Sequence, residues 1–175
     1  DLDFYRKVAA SADLKVLRVG LRPHSNLLSV LANWPELAAK TVLLVEVGPQ
    51  LTEIDIIKSG VLSFSRAASV ALPDFGGASG GALTDSRISA VPLSDREPDE
   101  PTRRAVSDLM VDIIHSFEAY RATDPAVSVD QIVVCGASGL EPQLAQALAA
   151  RFAARAELYA PNQSLGLPPQ RAREL

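Results

Sequence analysis

The sequence predicts an α/β domain on a mixed sheet, with a three-strand meander followed by an α-β-α-β run. Three observations carry that prediction. The segment from Thr41 to Arg66 holds three short strand-like runs separated by turn residues. A helical stripe then runs from Val106 to Tyr120, and a β-branched run, Gln131 to Cys135, closes on Gly136-Ala137-Ser138-Gly139. A meander joined to alternating helices and strands mixes antiparallel and parallel pairing in one sheet. A doubly wound unit would instead alternate from its first strand.

Taken in order, Asp3 to Ala12 reads as a short helix with Phe4, Val8 and Ala9 on one face. Leu14 to Leu21 alternates through Val16, Leu17, Val19 and Leu21, which predicts a strand ending before Pro23. His24-Ser25-Asn26 offers capping groups for a helix over Leu27 to Leu31, which Trp34-Pro35 breaks, and Glu36 to Lys40 leads into the meander. The meander's first strand is the apolar run Val42 to Val45, which reaches the turn Glu46-Val47-Gly48-Pro49-Gln50. Its second strand, Leu51 to Ile57, alternates, and Ser59-Gly60 turns it tightly into the third, Val61 to Ser65.

Pro73 to Glu100 changes character, with Gly76-Gly77-Ala78-Ser79-Gly80-Gly81, several prolines and an acidic cluster. That composition predicts a flexible loop, in which Arg87 to Leu93 alternates weakly as an edge strand would. Pro101-Thr102 opens the strongest helix, whose Val106, Leu109, Met110, Ile113, Ile114, Phe117 and Tyr120 keep helical spacing. After the glycine turn at 136–139, Glu141 and Pro142 open another helix with Leu144, Leu148 and Phe152 inward. Ala156 to Tyr159 forms a last strand, and a polar tail follows. The expected organisation is thus 1–70 for helix, strand and meander, 71–100 for the loop, 101–162 completing the same lobe, and 163–175 for the tail.

With 175 residues the chain is long enough for one good core or two small lobes. Its 47% hydrophobic and 22% charged content is ordinary for a folded domain. A net charge of −4 and a pI near 5.2 argue against a nucleic-acid surface and against a polybasic membrane patch. No apolar run approaches a bilayer span and no leader pattern opens the chain, so a cytoplasmic domain without a transmembrane segment is expected. The single Cys135 excludes an intramolecular disulfide and points to a reducing compartment. The chain begins at Asp1 without an initiator methionine, which leaves a fragment or a processed chain open.

The chemistry-bearing pattern is Glu46-x-Gly48-x-x-x-Thr52, an acidic-glycine-threonine turn between two strands. Such a turn is one way to wrap backbone N–H groups around a phosphate, since glycine permits close approach and a hydroxyl adds a donor. Taken alone, it is equally an ordinary hairpin in which Gly48 supplies a positive φ. Gly136 to Gly139 is likewise either a strand-to-helix turn or a ligand site at a helix N-terminus. The run from Gly76 to Gly81 lacks the Lys-Ser/Thr ending of a phosphate loop. Gly136-x-Ser138-Gly139 lacks the spacing of a hydrolase elbow. His24 and His115 have no partners at metal-ligand spacing, and no base stands near Cys135 at recognisable spacing. No catalytic residue and no metal ligand is assigned.

These two motifs, in this order and separation, resemble the second half of the superfamily of actins, hexokinases and heat-shock chaperones, whose fold is actin-like (ribonuclease H-like). Glu46-x-Gly48-x-x-x-Thr52 sits where that superfamily carries its second phosphate turn. Ile132 to Gly139 sits where it carries the adenosine-binding strand and turn. Ser65-Arg66 after the third meander strand, Phe117-Glu118-Ala119-Tyr120-Arg121, and the ending Tyr159-Ala160-Pro161-Asn162 (an inverted Asn-Pro-like end) resemble the PilM-like proteins of type IV pilus and secretion machines. The resemblance implies cofactor-binding roles for Glu46, Gly48, Gln50, Thr52, Gly136, Ser138 and Gly139. It also implies a cytoplasmic scaffold, peripheral to the inner membrane, that binds the cytoplasmic tail of an inner-membrane pilus or secretion protein, with a homo-oligomer open. The alternative it implies is an ATPase or sugar-kinase-like phosphotransferase using ATP and Mg²⁺; a plain α/β domain is the third reading.

The departures weaken ATP binding. Glu46 stands where the family usually has aspartate, and Ala137 replaces one glycine of a pair. Pro49 and Gln50 replace residues that would donate to a phosphate, and proline has no N–H. The family's first phosphate turn is absent from this chain, and its small inserted lobe is reduced to Ala71 to Glu100. The expected state of the cofactor is therefore ATP with Mg²⁺ bound weakly or lost.

Overall fold

The computed structural model describes residues 2–48, 51–69, 100–136 and 138–159. The expected loop over 71–99 with its edge strand, the tail 163–175, and Pro49, Gln50, Ala137 and Asn162 lie outside the described residues.

The elements run α1 (Leu2–Ser11), α2 (Arg22–Asn33), a 3-10 turn (Pro35–Ala39), β1 (Thr41–Val47), β2 (Thr52–Lys58) and β3 (Val61–Ala68). They continue with α3 (Glu100–Arg121), β4 (Gln131–Gly136), α4 (Glu141–Phe152) and β5 (Arg155–Tyr159). The five strands form one sheet in the order β3-β2-β1-β4-β5. The meander pairs antiparallel, whereas β1/β4 and β4/β5 are parallel. The mixed sheet expected from the sequence is present, and both halves of the chain contribute to it.

Two layers cover the sheet. On one face α3 and α4 pack Leu109, Ile113, Phe117, Leu144 and Leu148 against Leu43, Val45, Ile54, Ile56, Ile132 and Val134. On the other, α2 and the 3-10 turn pack Leu27, Val30 and Leu37 against Val42, Leu44, Ile57, Val133, Cys135 and Tyr159. This two-sided cover explains why β1 reads as a continuous apolar run, with Val42, Leu43, Leu44 and Val45 all at most 1% exposed. Ser59 and Gly60 both take positive φ (52° and 73°), the backbone of a tight two-residue hairpin that suits the right-handed twist of its strands.

The N-terminal region departs from expectation. Leu14 to Gly20 has no regular secondary structure, and Leu14, Leu17 and Leu21 are largely exposed. Alternation supplies an apolar face, but a strand exists only where its N–H and C=O groups find a ladder partner. The five-stranded sheet is built without this segment. Helix α1 forms as expected yet buries none of its residues, and Phe4, Tyr5 and Val8 face outward. Helix α2 starts earlier than expected, at Arg22, with Pro23 in its first turn, where a missing N–H costs nothing. His24-Ser25-Asn26 therefore lies inside the helix, and no side chain caps it.

Candidate functional site

The parallel pairing of β1 with β4 aligns Glu46 with Cys135 and Val47 with Gly136. The two turns singled out in the sequence therefore leave the same end of the sheet side by side. Gly136 takes φ +145°, and a Cβ there would come within 2.4 Å of the Val47 carbonyl oxygen and 2.5 Å of Glu141 Oε1. Gly48 is required for a different reason from the expected positive φ. A Cβ on it would meet the Leu51 carbonyl oxygen at 2.6 Å, and its N–H donates to that same oxygen at 3.1 Å, closing the hairpin.

The groups of the expected anion site are satisfied from within. The Glu141 carboxylate, on the first residue of α4, reaches back over the glycine turn. It accepts the backbone N–H of Ser138 and of Gly139, each at 2.8 Å, and the Ser138 hydroxyl at 2.8 Å. The N–H nest at a helix N-terminus, which would suit a phosphate, thus already holds an anion.

Glu46 is engaged with α2. Asn26 Nδ2 donates to Glu46 Oε2 at 2.5 Å and to Glu53 Oε2 at 3.3 Å. Arg22 Nε donates to Glu53 Oε1 at 2.7 Å, and its Nη1 lies 3.7 Å from Glu46 Oε1. Glu46 and Glu53 face each other across the β1/β2 pair, an arrangement that repels unless cations or donors bridge it. Arg22 and Asn26, one helical turn apart, supply that bridge. The Glu53 hydrogen bond in turn raises the Arg22 pKa above its ordinary value.

Thr52 pairs with Val47, so its side chain lies on the opposite face of the sheet from Glu46, and it is 1% exposed. Its hydroxyl is not brought to the Glu46 side. The structure therefore gathers Glu46, Gly48, Gly136, Ser138 and Gly139 at one sheet end and leaves Thr52 behind it, while Gln50 falls outside the described residues. Pattern reading did not find Arg22, Glu53, Asp55, Glu141 and Tyr159. One signal was available for two of them: Glu53 and Asp55 are successive same-face carboxylates in a strand otherwise rich in isoleucine.

Asp55 is the most constrained of these groups. It is 1% exposed, and among the described residues neither carboxylate oxygen has a hydrogen-bond partner. Burial raises its pKa to about 6; Glu53 and Glu46 add to the rise, while Ser65 and Arg22 oppose it. Ser65 sits opposite Asp55 in the β2/β3 register, close enough to lower the pKa but without the geometry of a hydrogen bond to it.

Between α2 and this sheet end lies a cavity of about 340 Å³, bordered by Arg22, Asn26, Ser29, Glu46, Cys135 and Tyr159, with the Gly48 and Gly136 backbone on its wall. Tyr159 closes one side. Its hydroxyl meets Ser29 Oγ at 2.5 Å and accepts from Asn33 Nδ2 at 2.8 Å, and its ring packs edge-on to Trp34. Burial, and then the Glu46, Glu141, Asp55 and Glu53 carboxylates, push the Cys135 thiol up to about 12, so it stays protonated and unreactive.

Among the described residues the groups expected to hold Mg·ATP are engaged within the chain. The N–H nest is filled by Glu141, the Gly48 N–H is spent in the hairpin, and Glu46 is held by Arg22 and Asn26. Among the described residues no three His, Cys, Asp or Glu side chains are placed to hold a metal. No helix among them is long and apolar enough to cross a membrane.

No protein-family model matches the sequence, and no curated protein matches it. Solved structures do. A chain of the "PilM-PilN type IV pilus biogenesis complex" aligns over 97% of this chain and 50% of its own length, with a TM-score of 0.68 at 15% identity. This chain thus spans about half the length of that relative. A chain of the Acidaminococcus fermentans (R)-2-hydroxyglutaryl-CoA dehydratase component A aligns over 78% of this chain and 61% of its own, at TM-score 0.44 and 10% identity. The Aquifex aeolicus member of the Ppx/GppA family aligns over 71% and 36%, at TM-score 0.32 and 13% identity. The last two are too distant in shape to carry an argument. The meander, the glycine turn and the PilM–PilN match together identify the architecture of this chain as the actin-like fold.

Proposed function

We propose that this chain is an actin-like scaffold of a type IV pilus or related secretion machine, acting in the cytoplasm at the inner membrane. In this reading it binds the cytoplasmic tail of an inner-membrane partner and does so without Mg·ATP. The fold it shares with a pilus biogenesis complex supports the setting. The observation that carries the loss of nucleotide is the self-occupied site: the expected phosphate donors serve Glu141 and Leu51, and the expected acidic residue serves Arg22 and Asn26. The phosphotransferase alternative needs donors aimed at a transferring phosphate and a bound Mg²⁺, and here both sets of groups are engaged within the chain. Among the described residues β3 lies at one edge of the sheet, where a peptide strand can dock.

Two titrations test the reading. Calorimetry with Mg·ATP is expected to give no heat of binding at millimolar nucleotide; micromolar binding would replace the scaffold with a nucleotide switch. A panel of synthetic cytoplasmic tails from the source organism's inner-membrane pilus and secretion proteins is expected to contain one that binds. A panel without a binder would remove the scaffold reading.

A further inference from the structure

Helix α1 is well formed and buries none of its residues. At 100° per residue, Leu2, Phe4, Tyr5 and Val8 share one side of it. Asp3, Arg6 and Lys7 share the other, where Asp3 and Arg6 pair at 3.3 Å. The helix ends in a regular cap rather than fraying. Asp13 takes φ 55°, its N–H donates to the Ala10 carbonyl at 3.1 Å, and the Leu14 N–H donates to the Ala9 carbonyl at 2.9 Å. From Leu14 to Leu21 the chain has no proline and no positive φ, so its backbone is able to pair. Among the described residues no backbone carbonyl accepts the N–H of any residue from Lys15 to Gly20. Leu14, Leu17, Val19 and Leu21 stand as open to solvent as the apolar side of α1, with Leu17 88% exposed. A run of unmet N–H groups beside exposed apolar side chains is a template for another strand.

We propose that α1 and Leu14 to Leu21 form the face on which a second copy of this chain docks. The two copies pair antiparallel about Leu17, and the apolar sides of both α1 helices flank the ribbon. Area, register and length select this occupant. The apolar side chains of α1 and of Leu14 to Leu21 together present on the order of 900 Å². One partner of a standard interface contributes about 800 Å², whereas the largest patch of an ordinary monomer is about 300–600 Å². The register is self-complementary. A two-fold antiparallel pair must set one residue opposite its own image, because facing side chains share one side of the ribbon. With Leu17 on the axis, Lys15 faces Val19, Val16 faces Arg18 and Leu14 faces Gly20, so no like charges oppose. With Arg18 on the axis, two guanidinium groups would face each other. The pilus-complex chain that shares this fold has half its length without a counterpart here, and a second copy brings as much chain again. The proposal is independent of the scaffold reading, since neither nucleotide nor tail enters it.

The test is sedimentation equilibrium of the full chain from micromolar to submillimolar concentration, read beside amide hydrogen exchange. A reversible dimer of the 18.6 kDa chain is expected, with the Lys15 to Gly20 amides protected only where the dimer forms. Leu17→Lys places two like charges on the axis and removes two buried leucines, so it should weaken the dimer about a hundredfold or more. Val61→Lys, on the β3 edge, should leave the dimer intact. Leu17 is exposed in the single chain, so its variant should keep the sheet, which protection of the β1 amides checks. Should Leu17→Lys fail to fold, exchange in the wild type still decides. Three outcomes would overturn the proposal. They are a wild type that stays monomeric with its sheet intact, a dimer that Leu17→Lys leaves whole, and a dimer whose Lys15 to Gly20 amides exchange freely. The first would assign the face to a different protein lobe or to a membrane surface, and the last two would move the dimer contact elsewhere on the chain.

Discussion

The carboxylate of Glu141 folds back onto Ser138, accepting its backbone N–H and its hydroxyl, both at 2.8 Å. With the Gly139 N–H also bound, one side chain satisfies three donors at the start of α4, and the Ser138 hydroxyl in turn accepts the Leu140 N–H at 3.2 Å. Charge-assisted hydrogen bonds to orphan N–H groups are among the stronger local terms. Glu141→Ala is therefore expected to destabilise the chain by about 2 kcal/mol, lowering Tm by roughly 4–8 °C. Emptying the nest should also let sulfate stabilise the variant in thermal melts, as it should not stabilise wild type. An unchanged melt without sulfate would show that the carboxylate contributes nothing.

Gly136 and Gly60 both have positive φ but differ in their surroundings. At Gly136 an added methyl meets the Val47 carbonyl at 2.4 Å, and backbone cannot step aside; at Gly60 its nearest neighbours are Ala38 atoms at 3.6 Å. Gly136→Ala is expected to cost about 3 kcal/mol or more, and Gly60→Ala only about 1 kcal/mol, the ordinary penalty of a left-handed residue with a side chain. Urea titration of both variants compares them directly, and equal costs would mean that the close approach of β1 to β4 at this turn is relaxed in solution.

The parts legible in the sequence are those fixed by local chemistry. Ser59-Gly60 encodes its turn through two positive φ angles, and the buried run Val42 to Val45 encodes a strand covered on both faces. The alternation from Leu14 to Leu21 misled because pairing, which it needs to become a strand, is not a local property. The site was legible only in outline. The glycine turns marked the right sheet end, but the groups that occupy them come from elsewhere. Asn26 reaches Glu46 across 20 positions and Arg22 reaches Glu53 across 31, contacts set by how α2 docks on the sheet. Asn26 reads as a capping residue for the same reason: its sequence neighbours allow a cap, while its spatial neighbours are two carboxylates.

Arg22 bridges the facing carboxylates of Glu46 and Glu53, so its removal leaves two like charges opposed across a strand pair. The guanidinium is about half exposed, which moderates the effect through solvent screening. Arg22→Ala is expected to destabilise by about 1 kcal/mol at low salt, and by less in 1 M NaCl, where surface charges are screened within about 3 Å. Glu53→Gln in the same chain should recover most of the loss. A double-mutant cycle that returns no coupling between these positions would separate α2 docking from this ion pair.

Asp55 gives the chain a pH dependence whose sign is fixed by its burial. Its pKa rises from the ordinary 3.8 to about 6 on folding, so the native state binds this proton more tightly than the unfolded chain. Protonation of Asp55 therefore favours the fold fully below about pH 4, and that contribution is lost as pH rises through about 6. Above that, a buried carboxylate without donors remains as a standing cost. Asp55→Asn removes the charge but leaves an amide that also lacks partners, so the net gain at pH 7.5 is expected to be about 1–2 kcal/mol rather than the full linkage value. Urea denaturation at steps from pH 4 to pH 8 should show wild-type stability falling relative to the variant across pH 4–6. Parallel curves would mean that Asp55 finds a partner in solution.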